Sequence, residues 1–226
     1  LTSRICGVCP VAHHFAATKA LDAAFNVEPT PAAKKLRELM YTAYLIYDHT
    51  LHFYYLGGPD FIVGIDAPPE KRNILGVIEK AGMDVAKDVI KHRAYGQKIT
   101  EIIGGKATHP VCGIPGGISK PLSEANRQEI EKMASSCLDF AEFTLKLFHD
   151  VVLGNAKYVG LIKSHTYTMP TYYMGTVDEN NKVNFYDGKI RVVDPKGQEF
   201  LKFQAQDYLQ HIGEHVEEWT YSKFPY

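Results

Sequence analysis

Two cysteines separated by two residues, Cys6 and Cys9, carry the plainest chemistry in the chain. They sit in the run Leu-Thr-Ser-Arg-Ile-Cys-Gly-Val-Cys-Pro-Val-Ala-His-His that opens it. Gly7 relaxes the turn between them, so both sulfurs can face one ion. Pro10 predicts a helix start directly after Cys9, because its fixed φ suits a first helical position. The helix dipole and the nearby Arg4 then favour the thiolate, the form that binds metal. His13 follows Cys9 by four residues, which puts it on the same helix face and lets it donate an N–H to that sulfur. The spacing alone fits half a zinc site, a redox dithiol or two buried small residues.

Asp48 is the second informative residue. From Tyr41 to Leu56 nearly every position is apolar or aromatic, and Asp48 is the only formal charge. A helix apolar all round reads as buried, and a carboxylate inside it must be paired or protonated. A helix-to-helix hydrogen bond and a place beside a reactive centre both satisfy that requirement. His52, one turn on, reads as a satisfied core histidine. His109-Pro110 lies in a glycine-rich stretch and reads as packing. His14, His92, His149, His165, His211 and His215 show no ligand spacing with a cysteine and read as structural or exposed. Cys137 falls on an apolar helical face and reads as a small core residue. Cys112, in the glycine-rich stretch, is a weaker candidate for a third ligand.

The elements that must position these residues are mostly helices. Ala12 to Phe25 is a small-residue helix. Thr30-Pro31 supplies an N-cap and first position for the next one, expected to run to about Leu56 and stop at Gly57-Gly58-Pro59. Glu70 to about Gly104 reads as one or two amphipathic helices with Ile74, Val77, Ile78, Val85, Val89 and Ile99 inward. Residues 104–117 are too apolar for a solvated linker and read as a long ordered loop. Ser123 to Leu153 is the longest helix, with Ile130, Met133, Cys137, Ala141, Leu145, Phe148 and Val152 as its core stripe, and Gly154 ends it. Past Tyr158 the pattern turns to short strands. Residues 183–186 and 190–193 flank Asp187-Gly188 as a hairpin signal, and Pro195-Lys196-Gly197 turns the chain again. A final helix is expected from about Gln204, carrying Tyr208, Leu209, Ile212, His215 and Trp219. The expected fold is mainly α (α+β): a bundle of long buried helices with a small β-hairpin insertion in the last third.

At 226 residues the chain can bury a substantial core. Its formal net charge of -1 leaves no electrostatic case for nucleic acid or an anionic membrane. No apolar run reaches the length of a membrane span. Four cysteines in a chain this long are no disulfide scaffold, and free thiols fit a reducing, cytoplasmic compartment. Glycine pairs such as Gly57-Gly58 and Gly104-Gly105 lack the strand–loop–lysine context of a phosphate loop.

Arg4-Ile5-Cys6-Gly7-Val8-Cys9 followed by His13 resembles the N-terminal nickel motif of the large subunit of nickel–iron hydrogenases. Tyr47-Asp48-His49-Thr50-Leu51-His52-Phe53-Tyr54 resembles the segment of that family whose aspartate sits over the metals beside an arginine. His109-Pro110 between glycine pairs, and the closing Glu217-Glu218-Trp219 and Lys223-Phe224-Pro225-Tyr226, also look like the family. The resemblance implies that Cys6 is a terminal nickel thiolate and that Cys9 bridges nickel and iron. It implies that His13 hydrogen-bonds the bridging sulfur, and that Asp48 and Arg4 shape the field around the site. It further implies reversible oxidation of H2 at a Ni–Fe centre whose iron carries diatomic ligands. Electrons would leave through Fe–S clusters in a small subunit, with further electron-transfer subunits possible. The wording looks most like the cytoplasmic archaeal and methanogen type. The family's second motif, Asp-Pro-Cys-x-x-Cys, does not occur, so residues 1–226 are expected to be part of one large-subunit domain, truncated at both ends. Two other classes stay open: a non-catalytic homologue like the quinone-site subunit of complex I, and a zinc or dithiol CxxC protein.

Overall fold

The computed structural model describes the backbone of residues 1–226 and every side chain but that of Tyr167. The chain forms two compact units, Leu1–Lys163 and Ser164–Tyr226.

The first unit is helical. A 3-10 turn at Thr2–Arg4 precedes α1, Pro10–Phe25, which starts directly after Cys9 and ends at Asn26 with φ 51. Thr30 caps α2, Pro31–Leu51, by accepting from the Ala33 N–H at 3.3 Å. The expected stop at Gly57-Gly58-Pro59 does not occur. The helix widens into a π turn, His52–Gly57, and continues as α3, Gly58–Ile62. Pro59 lies in the first turn of α3, where a missing N–H costs little. Gly58 lets the Phe53 carbonyl come close enough that a Cβ would collide with it. Glycine and proline together therefore permit the π turn.

Glu70–Gly104 resolves into two helices, α4 at Ile74–Ala81 and α5 at Met83–Gly104, parted by Gly82 at φ +91. Of the inward candidates, Val77 and Ile99 are buried, and Ile74, Ile78, Val85 and Val89 are half-buried. The α2–α5 crossing depends on Gly96, where a Cβ would lie 2.9 Å from the Ala43 carbonyl and 3.1 Å from Tyr47 Cβ. The loop after α5 is ordered and holds a two-residue ladder, β1 at Gly113–Ile114 against β2 at Gly117–Ile118. Ser123 caps α6, Glu124–Phe148, which passes into a second π turn, His149–Leu153, before a short α7, Ala156–Lys163.

The core lies where α1, α2, α5 and α6 meet, with Val11, Met40, Tyr54 and Ile99 almost fully buried. Two expected stripes are only half right. Ile130, Met133, Cys137 and Val152 are buried, but Ala141 and Leu145 are exposed. Phe140 takes the inward place, stacked on His92 with centroids 4.4 Å apart. On α2 and its π turn, His49, His52, Tyr55 and Leu56 are exposed, so this helix is not buried all round and His52 is no core histidine. The open sides of α2 and α6 bound a groove of about 640 Å³ lined by Asp48, His49, His52, Phe53, Ala141 and Leu145 among others.

The second unit carries the sheet. β3, Tyr173–Val177, pairs antiparallel with β4, Lys189–Val193, which pairs with β5, Glu199–Phe203. The β4–β5 turn is the predicted Pro195-Lys196-Gly197, with the Asp194 carboxylate accepting from the Lys196 and Gln198 N–H groups at 2.8 and 2.9 Å. The hairpin expected around Asp187-Gly188 does not form. Asn184 folds that stretch into a side-chain-capped turn, accepting from the Tyr186 and Asp187 N–H groups at 3.1 and 3.0 Å. Val183 keeps only an isolated bridge to Val177. The final helix is also absent. After a 3-10 turn at Ala205–Gln210, β6 at Glu214–Val216 pairs with β7 at Lys223–Pro225. Gly213 exchanges both backbone hydrogen bonds with Tyr226 at 3.0 Å, which commits the segment to a ladder and leaves Trp219 77% exposed.

Candidate metal centre

The two expected thiols meet at the start of α1. The Cys9 N–H donates to Cys6 Sγ at 3.1 Å and the Cys9 thiol donates to the same sulfur at 2.7 Å. That separation is well outside the roughly 2.05 Å of a disulfide, and both cysteines are free. Nothing lies within 4 Å of where a Gly7 Cβ would be, so the turn is open. Both thiols are half-buried instead of sealed inside. His13 follows one turn later, its N–H bonded to the Cys9 carbonyl at 3.3 Å. A ring nitrogen of His13 and the two sulfurs all lie within 4.8 Å of one another. Two thiols and an imidazole are the donors that nickel, iron and zinc accept, so this set fits a soft or borderline cation.

The electrostatics separate the two sulfurs. Cys6 is held below the usual thiol range, first by accepting from the Cys9 side chain and then by the Cys9 backbone. Cys9 is pushed up to about 11, first by donating to Cys6 and then by burial. Asp48 on α2 adds negative potential at both sulfurs and opposes ionisation of either. Its side chain is 26% exposed and its ion-pair partner among the described residues is His49, at 3.5 Å. Asp48 thus borders the groove instead of being buried within the bundle. Arg4 is exposed on the 3-10 turn, and its charge registers at His14. Tyr47, on the same helix as Asp48, is pushed up to about 12 by burial and then by the Asp48 charge.

The residues that fix this turn in place were not singled out by the sequence. Arg37, fully buried, grips Asp22 of α1 with two hydrogen bonds at 2.6 and 3.3 Å. It also donates to the carbonyls of Ile114 at 2.9 Å and Gly117 at 2.7 Å, while the Asp22 carboxylate accepts from the Gly116 N–H at 2.7 Å. One ion pair therefore ties α1, α2 and the β1–β2 loop together. Burial alone would raise Asp22, but the Arg37 and Gly116 hydrogen bonds outweigh it and hold the carboxyl below its ordinary value. His14 joins the same loop by accepting from the Gly113 N–H at 2.9 Å, and Gly113 is glycine because a Cβ would strike Thr18 and His14. His109, at φ 55, reaches the Ser3 carbonyl at 3.3 Å. The glycine-rich loop thus holds the cysteine turn on both sides. Neither residue carries a local signal: Asp22 follows Lys19 on α1, and Arg37 sits among Lys34, Lys35 and Glu38 on α2. Cys112 is buried against Met40 and His14 and lies outside the cluster of donors. Cys137 is buried in the core.

Comparison with known proteins agrees with the motif. Residues 1–72 match the family model described as nickel-dependent hydrogenase. An F420-non-reducing hydrogenase iron-sulfur subunit of Archaeoglobus profundus is 48% identical over 224 residues, 99% of this chain and 46% of that protein. An F420-non-reducing hydrogenase vhu subunit of Methanocaldococcus jannaschii is 47% identical over 226 residues, 100% of this chain and 53% of that one. A crystal structure of an NAD+-reducing [NiFe]-hydrogenase in the H2-reduced state superposes with a TM-score of 0.89 at 34% identity, covering 99% of this chain and 49% of the other. The chain spans about half the length of the curated relatives it matches. With a cysteine pair poised at a helix start, residues 1–72 carry the match to the nickel-dependent hydrogenase family, and the chain is similar along its whole length to about half of each of these hydrogenase subunits.

Proposed function

We propose that this chain provides the first cysteine pair of a Ni–Fe centre in a hydrogenase large subunit, which catalyses reversible oxidation of H2 to protons and electrons. The observation that carries the reading is the pair itself: two sulfurs 2.7 Å apart at the start of α1, within the field of Asp48. Cys6 would hold nickel as a terminal thiolate, and Cys9 would be the thiolate shared with iron. When bound, the metals polarise H2 and take up its reducing equivalents. A basic sulfur of this pair is the group that would take up the proton. In the assembled centre His13 donates to Cys9 and orients it. Asp48 supplies fixed negative charge beside the sulfurs, which favours the proton arriving there. Arg4 adds positive charge at the exposed rim of the site.

Electrons must leave the site, and the remaining cysteines of this chain, Cys112 and Cys137, are single and buried. Fe–S clusters therefore belong to a small subunit, with further electron-transfer subunits beyond it. The relatives support an archaeal, methanogen-like type, and the four free cysteines suit a cytoplasmic setting. Among the described residues no helix is long and apolar enough to cross a membrane. Elemental analysis of the native complex tests the reading. Nickel with iron is expected, and Cys9→Ser should remove the metal pair together with H2 uptake. Zinc alone, or no metal, or full H2 uptake by Cys9→Ser, would overturn it.

A further inference from the structure

We propose that Cys112 Sγ, Met40 Sδ and His14 Nε2 form a buried site for one soft monovalent cation of the Cu(I) class. The site is separate from the Cys6–Cys9 turn and does not depend on the function proposed for that turn. It joins α1 through His14, α2 through Met40, and the loop after α5 through Cys112.

Donor type and spacing carry the argument. Thiolate and thioether sulfur select a soft ion such as Cu(I), and imidazole suits copper as well. The Cys112 thiol donates to Met40 Sδ at 3.7 Å, and its sulfur lies 3.9 Å from His14 Nε2. A trigonal ion with metal–sulfur bonds of about 2.3 Å and metal–nitrogen bonds of about 2.0 Å needs donors roughly 3.7–4.0 Å apart. Both separations from Cys112 fall in that range, so the ion needs no preformed cavity. Packing holds the donors where they stand. A Cβ at Gly104 would lie 2.8 Å from Met40 Sδ, and one at Gly113 would lie 2.9 Å from His14 Nε2. Met40, Cys112 and His14 are only 0%, 1% and 8% exposed, so water competes little for the ion. Charge decides the valence. Burial first, then Arg37 and Arg4, holds His14 below its ordinary value and so in the neutral form that binds metal. Burial pushes Cys112 up to about 11, so it is a thiol at neutral pH. When a monovalent ion enters, the S–H bond breaks, a metal–sulfur bond forms and the proton leaves to solvent. The charge of the site is then unchanged. A divalent ion would add one positive charge in the field of the fully buried Arg37.

Binding takes His14 Nε2 away from the Gly113 N–H, which now donates to it at 2.9 Å. The loop must open to admit the ion, so uptake should be slow. The test uses the full chain carrying Cys6→Ser and Cys9→Ser, which removes the other thiol pair. That protein, reduced and anaerobic, receives Cu(I) in competition with a Cu(I)-specific chelator, and copper K-edge X-ray absorption reads the ligands. One Cu(I) per chain with two sulfurs and one nitrogen is expected, together with faster amide exchange at Gly113. Loss of a residue that merely orients a ligand costs about 10-fold to 100-fold in affinity, so Cys112→Ala should cost at least that. Met40→Leu should remove one sulfur from the spectrum. His14→Gln, which can still accept from the Gly113 N–H, should remove the nitrogen. Cys137→Ala should change nothing, and circular dichroism confirms that each variant is folded. Equal retention of copper by the Cys112→Ala protein would overturn the site, and so would copper held without nitrogen. Failure of the Cys6→Ser, Cys9→Ser protein to bind Cu(I) at all would also overturn it, and would leave the reading of Cys6 and Cys9 untouched.

Discussion

At the scale of single residues, the sequence was legible where chemistry depends on local spacing. Cys6, Cys9 and His13 are close because a tight turn and one helical step force them together, and no long-range contact is needed. Asp48 was harder, because its neighbours in sequence said "buried" while its side chain borders an open groove. Its charge acts on the sulfurs through space. Asp48→Asn should therefore let both thiols ionise more readily and speed their alkylation near neutral pH. The gain should stay below about tenfold, because a partly exposed charge moves a neighbouring pKa by less than about one unit. Alkylation timed by mass spectrometry against the wild-type chain checks this, and a slower reaction in the variant would contradict it. In the complete enzyme the same variant should lower turnover and keep nickel, because Asp48 touches no metal in the proposed arrangement.

At the scale of elements, helices with a cap and an apolar period were readable, and their ends were not. Thr30 caps as expected because an N-cap is a local hydrogen bond, and Ser123 caps α6 in the same way. Gly57-Gly58-Pro59 misled because glycine and proline break an α-helix but permit a π turn between helices. The hairpin signal failed where a side chain competes with the ladder, as Asn184 does, and the helix expected from about Gln204 failed where a distant residue, Tyr226, claims the backbone of Gly213. The Asp22–Arg37 pair is a further long-range feature that no local pattern announces, and it has a definite pH signature. Asp22 is held below its ordinary value in the folded state. Between the unfolded and the folded pKa the unfolded chain binds more protons, so the pair's contribution is full at neutral pH. It declines as pH falls below about 4. Asp22→Asn should lose on the order of 3–5 kcal/mol at pH 7, because it strands a buried guanidinium. The variant should also show a flatter acid limb in urea-melt stability measured from pH 7 to 3. Equal stability of the two proteins at pH 7 would mean that the pair does not hold α1 to the loop.

At the scale of the whole molecule, apolar periodicity announces that a face is to be covered without saying by what. Ala141 and Leu145 on α6 were read as core because their spacing matches a buried stripe, and Tyr55 and Leu56 because a helix apolar all round reads as buried. In the structure all four are exposed, and Leu138, at 62%, and Phe143, at 42%, add to the apolar surface of α6. The α2–α6 groove between these faces is open and mostly apolar in its lining, with Asp48, His49 and His52 at its polar side. Apolar surface on this scale is rare on a protein that stays monomeric in water. The purified chain should accordingly bind an apolar fluorescent dye in its folded state and self-associate as concentration rises. Leu138→Glu with Leu145→Glu should reduce both effects. Stability should change by less than about 0.5 kcal/mol, because neither side chain is buried within the chain. Sedimentation velocity over a concentration series, alongside dye fluorescence, decides the matter. A wild-type chain that stays monomeric and dark would mean that the periodicity on these faces serves only the bundle's own packing. A double variant that unfolds would mean that Leu138 or Leu145 packs within the bundle after all.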